Sequence, residues 1–489
     1  MVCSARFRID LARGASATPL ATLPAPPLFI RSLRSQGAGS GKMGQLGEGG
    51  SSAATISVAG LAAKGAVMQD VVIRNATLWD GTGSPARPGH TIHLHGDTVA
   101  WIGPESSPHS SSLPRGTGTM TIDAAGRWLL PGLIDLHVHL TFDPRDPDFL
   151  RVATLTPVAE AALRGAHHAR LMLEAGFTGV RDMGAFGDAN VAVRRAIDAG
   201  WTTGPRLATA GVFVTVRGGH ADLALKQDVA VAQGIAVTGI DAVRDAVRSR
   251  AHRGADWIKV LATAGVMTGG GAPVGACLWE DDELAAAVST ATRLGRKVAA
   301  HAHGADGIRA AAEAGVATIE HVTMADTASV EAMSRNRTVL VPTFSAAQSV
   351  VREARAGRLS PSSTAFALEM GPRHVASFRM AREAGVRVGF GTDIGVPGTV
   401  FGSNGGEFAL MVDAGMTPDE ALLSATRDAA EILGWPRAGT LTPGQWADAI
   451  LVDGDPLADV SCLADLSRIH LVILGGRPVA DRRPESTDA

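Results

Sequence analysis

The feature that most constrains the fold lies between about residues 130 and 437, where short apolar runs alternate with amphipathic stretches rich in Ala, Arg and Glu. Helical periodicity is clearest over 281–295, 305–314 and 375–384. The eight apolar runs are 133–136, 179–182, 206–210, 257–261, 297–300, 317–319, 339–341 and 386–389. Eight alternating units over roughly 300 residues predict an α/β fold of the (β/α)8 TIM-barrel class, which takes about 250 residues before insertions.

The two flanks of this segment have a different pattern. Residues 68–129 and 438–480 consist of short alternating strands separated by Gly and Asp turns, a pattern typical of antiparallel β-structure. We expect the two flanks to meet in one small β-sandwich domain beside the barrel domain of 130–437. Residues 481–489 are expected to form a tail.

The first 67 residues have no sustained apolar period and contain five Arg, two Lys and only two acids. We expect a disordered extension, or an upstream mis-start before Met68. An organelle transit peptide is the alternative, because such peptides are Arg-rich, Ser-containing and poor in acids. No secretory apolar region precedes a cleavage site, and a cytoplasmic location is expected.

Composition excludes several classes of function. The 489 residues carry 45 basic and 48 acidic side chains, so a nucleic-acid partner, which would need a basic stripe, is not expected. No apolar run reaches the roughly 18 residues that a membrane span requires. The three cysteines form no spaced pair that would predict a disulfide framework or a thiolate zinc site.

Polar side chains stand at the ends of five predicted barrel strands, where barrel active sites lie. Taken singly, each has an ordinary structural explanation, such as a lysine that extends its ammonium to water. Residues two apart on a strand share a side, so each His-x-His pair can face one point. The converging residues are His137, His139, Lys259, His301, His321 and Asp393. Nitrogen and carboxylate ligands without thiolate indicate a zinc site, with Co²⁺, Mn²⁺ or Ni²⁺ as substitutes.

With these motifs the chain resembles the amidohydrolase superfamily, and within it the imidazolonepropionase-like and Xaa-Pro dipeptidase-like branch that includes ochratoxin-type amidases. The resemblance runs from about 68 to 478 and is specific only as a combination. The motifs are PGLIDLHVH (131–139), GVRDMG (179–184), GPR (204–206), IKVLAT (258–263), HAHG (301–304), IEH (319–321), GTD (391–393), GQWAD (444–448) and DGDP (453–456).

The resemblance implies a centre of two divalent metal ions. His137, His139 and Asp393 would hold one ion, and His301 with His321 the other. Lys259, carbamylated by carbon dioxide, would bridge them. A metal-bound hydroxide would then cleave an amide or peptide bond, with Asp393 as general base. The resemblance also implies a small-molecule amide substrate and a homo-oligomer.

Four residues are candidates for binding substrate. His303 and His220 could hydrogen-bond the developing oxyanion or a substrate carboxylate, although His220 could equally stabilise its loop. Arg217 could pair with a carboxylate or remain solvated. Trp279 takes the place of an aromatic residue of relatives, beside a leucine where they carry an amide. This change makes the pocket more apolar and favours a bulky hydrophobic or aromatic amide over a small polar dipeptide.

Other reactions on the same scaffold stay open. A deaminase would normally use one metal and an acid near the strand-5 histidine, where this chain has His303. An imidazolonepropionase would not need Lys259. Lactone hydrolysis would use the same hydroxide. A non-catalytic scaffold that has lost its ligands is disfavoured because all six candidate ligands are present.

Overall fold

The computed structural model describes residues 70–146, 148–222, 235–266 and 272–483. The predicted extension over 1–67 lies outside the described residues, and so does the predicted tail from residue 484 onward. Across the described ranges, no helix combines the length and apolarity needed to cross a membrane.

The strands and helices follow one another in three blocks: a strand-rich start, an alternating middle and a strand-rich end. The strands are β1 Asp70–Leu78, β2 Arg87–His95, β3 Thr98–Pro104, β4 Thr119–Asp123, β5 Trp128–Pro131, β6 Leu133–Val138, β7 Phe177–Asp182, β8 Arg206–Thr209, β9 Thr215–Val216, β10 Ala236–Val237, β11 Trp257–Leu261, β12 Lys297–Gly304, β13 Thr318–Met324, β14 Val339–Val341, β15 Ala449–Val452, β16 Ile469–Leu474 and β17 Arg477–Asp481. The helices are Pro108–Ser112, Phe149–Leu155, Val158–Glu174, Ala189–Asp198, Ile240–Arg253, Asp281–Arg293, Ala305–Ala314, Thr327–Arg335, Phe344–Arg355, Pro361–Glu383, Gly406–Asp413, Pro418–Ser424 and Arg427–Leu433, with 3₁₀ turns at Val460–Leu463 and Leu466–Arg468.

The two flanks of the chain pair in one eight-stranded sheet. Its order is β17-β16-β15-β5-β1-β2-β3, and β4 also pairs with β1. The junction between the flanks is the antiparallel pair of β15 with β5, in which Ile450 stands opposite Leu130. Strand alternation sends one face of this sheet into a core of its own, to which Val71, Ile73 and Leu451 belong.

The middle block has a TIM-barrel-like α/β fold. Strands β6, β7 and β8 form one parallel sheet, and β11 to β14 form another. A parallel bridge between Val214 and Val260 connects the region after β8 with β11. Consecutive parallel strands need a crossover, and helices supply most of these crossovers here. Seven of the eight predicted apolar runs therefore coincide with strands.

The eighth run, 386–389, differs from the prediction. Val388 pairs with Leu340 and Ile394 with Val138, each as an isolated parallel bridge, and no strand is formed. Two of the backbone donors between these bridges have partners outside the neighbouring strand backbone. The Phe390 N–H donates to the Ser424 carbonyl. The Thr392 N–H donates to a buried carboxylate in β6. A regular ladder is interrupted because these groups are already satisfied elsewhere.

Trp79 connects the flanking sheet to the barrel. Its side chain is fully buried and belongs to the same core cluster as Leu133 and Phe177. Its Nε1–H donates to Asp419 Oδ1 at 2.9 Å, in the helix Pro418–Ser424. The buried indole ring and its hydrogen bond therefore both stabilise the contact between the flanking sheet and the barrel-like middle.

We predict that Trp79→Ala lowers the free energy of unfolding by about 3–5 kcal/mol, because it leaves a large cavity and an unpaired Asp419. Trp201→Ala is the matched control, since Trp201 is 83% exposed, and it should change stability by no more than about 0.5 kcal/mol. Urea unfolding of both variants checks this. Equal losses in the two would contradict the assigned role of Trp79.

Candidate metal centre

Six side chains from five places in the barrel-like middle converge at one end of its strands. Asp393 Oδ1 lies 3.4 Å from His137 Nε2 and 3.3 Å from His139 Nε2. The His321 ring centroid lies 5.3 Å from that of His137 and 4.6 Å from that of His301. Lys259 lines the same cavity as these residues. All six residues that the motifs predicted as ligands are therefore brought together.

Three atoms of this cluster are buried and have no hydrogen-bond partner: Lys259 Nζ, His301 Nε2 and Asp393 Oδ1. Such atoms are costly unless a ligand satisfies them. One ligand atom each from His137, His321 and Asp393 lies within 4.8 Å of the others, as a single ion would require. Neutral imidazoles with a carboxylate are the donor set of zinc and similar divalent ions. The residues present therefore fit a divalent metal ion.

The backbone is strained at two of these ligands and at the hydrogen-bond partner of one of them. His321 and Asp393 have φ of 77° and 57°, and Thr343 has φ of 56°. Non-glycine residues adopt this left-handed region at a cost that surrounding structure must offset, and they cluster at functional sites. His321 lies within β13, where the pairing with β12 shifts register, so its ring reaches the cavity although the preceding residue, Glu320, also points inward.

Hydrogen bonds to Nδ1 orient three of the imidazoles. The Nδ1 atoms of His137, His139 and His321 contact Glu320 Oε2 at 2.7 Å, the Gly184 carbonyl at 2.8 Å and Thr343 Oγ1 at 2.7 Å, respectively. The Glu320 carboxylate and the Gly184 carbonyl can only accept, so they select the tautomer of His137 and His139 that leaves Nε2 free to bind a metal.

Beneath the cluster lies a buried ion pair that the sequence analysis quoted within motifs but did not assign a role. The Arg181 guanidinium donates to Glu320 Oε1 at 3.0 Å and to the Leu136 carbonyl at 2.6 Å, and both side chains are fully buried. Burial raises the pKa of Glu320, but Arg181 and the hydrogen bond with His137 lower it well below its ordinary value. The sequence did contain a signal for this pair: a basic and an acidic residue at predicted buried strands. Neither charge can be buried without a partner, so the two could have been expected to pair.

A second buried carboxylate, Asp135, also escaped the sequence analysis. Its oxygens accept the N–H of His137 at 3.0 Å, the hydroxyl of Thr392 at 2.7 Å and the amide of Asn404 at 2.7 Å. It thereby fixes the segment that carries Asp393 against the strand that carries His137. Burial raises the pKa of Asp135 to about 6.

Burial also sets the protonation of the cluster. It lowers the pKa of His137 to about 4, and the nearby Lys259 contributes. Burial and neighbouring imidazoles hold the pKa values of His301 and His321 well below their ordinary value. Burial lowers the pKa of Lys259 to about 8. His137, His301 and His321 are therefore neutral near pH 7, the form that binds metals, and part of the lysine is neutral as well. His139 differs, because the Asp393 carboxylate raises its pKa above the ordinary value despite its burial.

The cavity above the cluster has polar and apolar walls. His220 and His303 line it, the first with its ring 4.7 Å from that of His301. His303 Nδ1 contacts Thr323 Oγ1 at 2.7 Å. Gly265 provides the room for His220, since a Cβ at 265 would lie 2.4 Å from its ring. The apolar part of the wall includes Phe142, Phe213, Leu261, Val350, Met370 and Val396.

The structure does not bring Arg217 and Trp279 to the described lining of this cavity. The Arg217 side chain is 61% exposed and lies 3.5 Å from the Asp222 carboxylate. Trp279 is buried in the main core, and its Nε1–H donates to the Leu261 carbonyl at 2.8 Å. Its indole therefore packs behind the cavity wall instead of facing a substrate.

Comparison with known proteins agrees with this site. The model of the Amidohydrolase family matches residues 128–479. The chain is 31% identical to ochratoxinase of Aspergillus niger over 428 residues, which cover 83% of this chain and 86% of that protein. It is 29% identical over 407 residues to imidazolonepropionase of Streptomyces coelicolor, covering 79% and 88%. A crystal structure of a Xaa-Pro dipeptidase with bound methionine superposes with a TM-score of 0.75 at 31% identity, covering 84% of this chain and 99% of that chain.

The chain therefore belongs to the amidohydrolase family, and the resemblance drawn from its motifs is confirmed. It is a hydrolase that acts on carbon–nitrogen bonds.

We predict that Arg181→Met lowers the free energy of unfolding by about 3–5 kcal/mol, because it leaves the buried Glu320 carboxylate uncompensated. Adding Glu320→Gln to this variant should recover part of the loss, since the charge is then removed. Arg387→Met is the surface control. Arg387 pairs with Glu431 at 2.8 Å in an exposed position, so its loss should cost less than about 1 kcal/mol. Urea unfolding measures all three variants, and a double variant no more stable than Arg181→Met would refute the coupling.

Proposed function

We propose that this protein is a metal-dependent amidohydrolase that cleaves the amide bond of a small molecule carrying a bulky apolar group. One observation carries the proposal. The six ligand-type residues converge in a cavity with apolar walls, and three of their atoms are buried without a hydrogen-bond partner.

The proposed centre contains two divalent ions, with zinc as the first choice. His137, His139 and Asp393 would hold one ion, and His301 with His321 the other. Lys259 would join them as a carbamate. Its lowered pKa and unpartnered Nζ support this role, because only a neutral amine adds carbon dioxide. Ions bound there supply Lewis acidity, which polarises a carbonyl and makes water a nucleophile at neutral pH.

Asp393 is the proposed general base. Its Oδ1 is buried at the cavity and has no hydrogen-bond donor, so it can accept a proton from water and return it to the leaving amine. Its position is secured by the backbone, since its N–H donates to the His137 carbonyl at 2.7 Å. Although burial raises its pKa, the neighbouring His137 and His139 lower it, so the carboxylate is ionised and ready to accept.

The walls of the cavity support an apolar substrate. The Phe142 ring stacks on His139 at 4.7 Å, with 3° between their planes, and Phe186 stacks on Phe142 at 5.6 Å. This aromatic surface starts at a proposed ligand and suits an aromatic or hydrophobic acyl or amine group. Ochratoxinase and Xaa-Pro dipeptidase among the similar proteins are consistent with amide substrates.

Two imidazoles are proposed to bind the polar part of the substrate. Among the described residues that line the cavity, Lys259 is the sole lysine or arginine. A substrate carbonyl or carboxylate would therefore be recognised by His220 and His303 rather than by Arg217. N-acyl amino acids and Xaa-Pro-type dipeptides remain the proposed chemical classes.

Asp393→Asn should abolish turnover and preserve the fold, with a loss of at least about 100-fold from the missing general base. The test incubates zinc-loaded protein with Xaa-Pro dipeptides, N-acyl amino acids, aryl amides and lactones, and follows the products by mass spectrometry. We expect the wild type to cleave amides with an apolar group. Turnover by the variant at the wild-type rate would remove Asp393 from the mechanism, and release of ammonia or lactone opening without amide cleavage would overturn the proposed reaction.

Lys259→Ala should reduce the bound metal from two ions towards one or none, with partial rescue of activity by small carboxylates. Lys297→Ala is the control, because Lys297 lies at the opposite end of its strand and donates to the Ile432 carbonyl at 2.7 Å. Metal analysis after dialysis distinguishes the two variants. Retention of two ions in Lys259→Ala would rule out the bridging role.

The sandwich form of the flanking sheet, the domain boundaries, the homo-oligomer and the cytoplasmic location stay predictions. Analytical ultracentrifugation would decide the oligomeric state.

A further inference from the structure

A second group of metal-ligating side chains lies in the flanking sheet, on strands that the catalytic proposal does not use. Asp70 begins β1, and His93 and His95 end β2. Asp70 Oδ1 is 2.6 Å from His93 Nε2 and 3.0 Å from His95 Nδ1. One ligand atom from each of the three residues lies within 4.8 Å of the others.

The sheet itself places these side chains together. In the antiparallel pair of β1 with β2, Asp70 stands opposite His95 and Val72 opposite His93. The alternate residues Val71 and Leu94 point into the core of the sheet, so the three polar side chains are forced onto the other face. Their proximity follows from strand register and does not depend on the conformation of a loop.

The electrostatics suit a cation. Two imidazole nitrogens approach a single carboxylate oxygen, and each needs a proton on that nitrogen to do so. A divalent ion can replace both protons and keep the same three atoms together.

The distances require little rearrangement. Ligand atoms about 2.0–2.1 Å from a tetrahedral zinc ion lie roughly 3.3 Å apart, so the contacts of Asp70 with His93 and His95 need to open by less than about 1 Å. The His95 side chain is 60% exposed, which leaves space for water to complete the coordination. The His93 and Asp70 side chains are 13% and 17% exposed and are held in place by their surroundings.

We propose that Asp70, His93 and His95 form a second transition-metal site, which takes Zn²⁺ or a similar borderline-soft ion and fastens the start of β1 to the end of β2. The ion would stabilise the folded protein, because the unfolded chain does not hold the three ligands together. The site shares no residue with the catalytic centre, so it does not depend on the proposed function.

The test counts zinc in the full-length protein after equilibrium dialysis against a fixed free Zn²⁺ concentration. His95→Ala should bind one ion fewer than the wild type and keep its amidohydrolase activity, since His95 lies outside the catalytic cavity. Asp70→Asn should show the same loss, because it keeps the size of the side chain and removes its charge. His90→Ala is the matched control on the same strand. Its Nδ1 lies 3.0 Å from the Pro88 carbonyl, outside the cluster, and its zinc count should equal that of the wild type.

Two further measurements separate this site from the catalytic one. In a His137→Ala, Asp393→Ala background the flank ion should still bind, and adding His95→Ala should abolish it. Added Zn²⁺ should also raise the melting temperature of this background variant. It should leave the melting temperature unchanged when His95→Ala is present as well. Equal zinc counts with and without His95→Ala would overturn the proposal. Circular dichroism confirms that the variants are folded, and His95→Ala is chosen because its exposed ring contributes little to the core.

Discussion

The proposed metal centre depends on a buried carboxylate, Glu320, which lies between Arg181 and the His137 ring. The buried Arg181 guanidinium and Lys259 ammonium need negative charge close by, and Glu320 supplies part of it. The hydrogen bond with Nδ1 of His137 also orients that ring and leaves Nε2 directed at Asp393. Arg181 in turn keeps Glu320 ionised and holds it to the backbone of β6. Removing Arg181 or Glu320 would leave the other with an uncompensated buried charge.

The residues at the cavity above Glu320 include strained backbone and buried polar atoms without hydrogen-bond partners. Left-handed backbone at His321 and Asp393, and buried atoms without partners on Lys259 and His301, are each unfavourable. They persist because regular strands and a large core surround them. A bound cation would satisfy the atoms that the protein alone leaves without partners. A rigid, hydrogen-bonded support beneath side chains with unsatisfied atoms is the arrangement expected of a preorganised ligand site.

Much of the site could be predicted from residue types at strand ends. His137 and His139 follow an apolar run, and their spacing of two residues puts them on one side. The same reasoning located Lys259, His301 and Asp393. It did not assign roles to Glu320 or Asp135, since a buried acid in a strand has no meaning until its partner is known. It also placed Trp279 at the substrate, because the order of residues along the chain does not reveal that this indole hydrogen-bonds to Leu261 and packs in the core.

The sequence by itself determined the class of fold and the identity of the proposed ligands. Alternating apolar and amphipathic segments specify parallel strands with helical crossovers, and the chemistry of His, Asp and Lys specifies the type of site. Only the tertiary structure decided the remaining features. It showed that the eighth run forms one isolated bridge at Val388 and no strand, with the nearby Phe390 N–H bonded to the Ser424 carbonyl instead of a strand neighbour. It also paired Arg181 with Glu320 across 139 positions of the chain, and Asp70 with His95 through strand register. Such contacts depend on distances between segments remote in sequence, which local patterns do not encode.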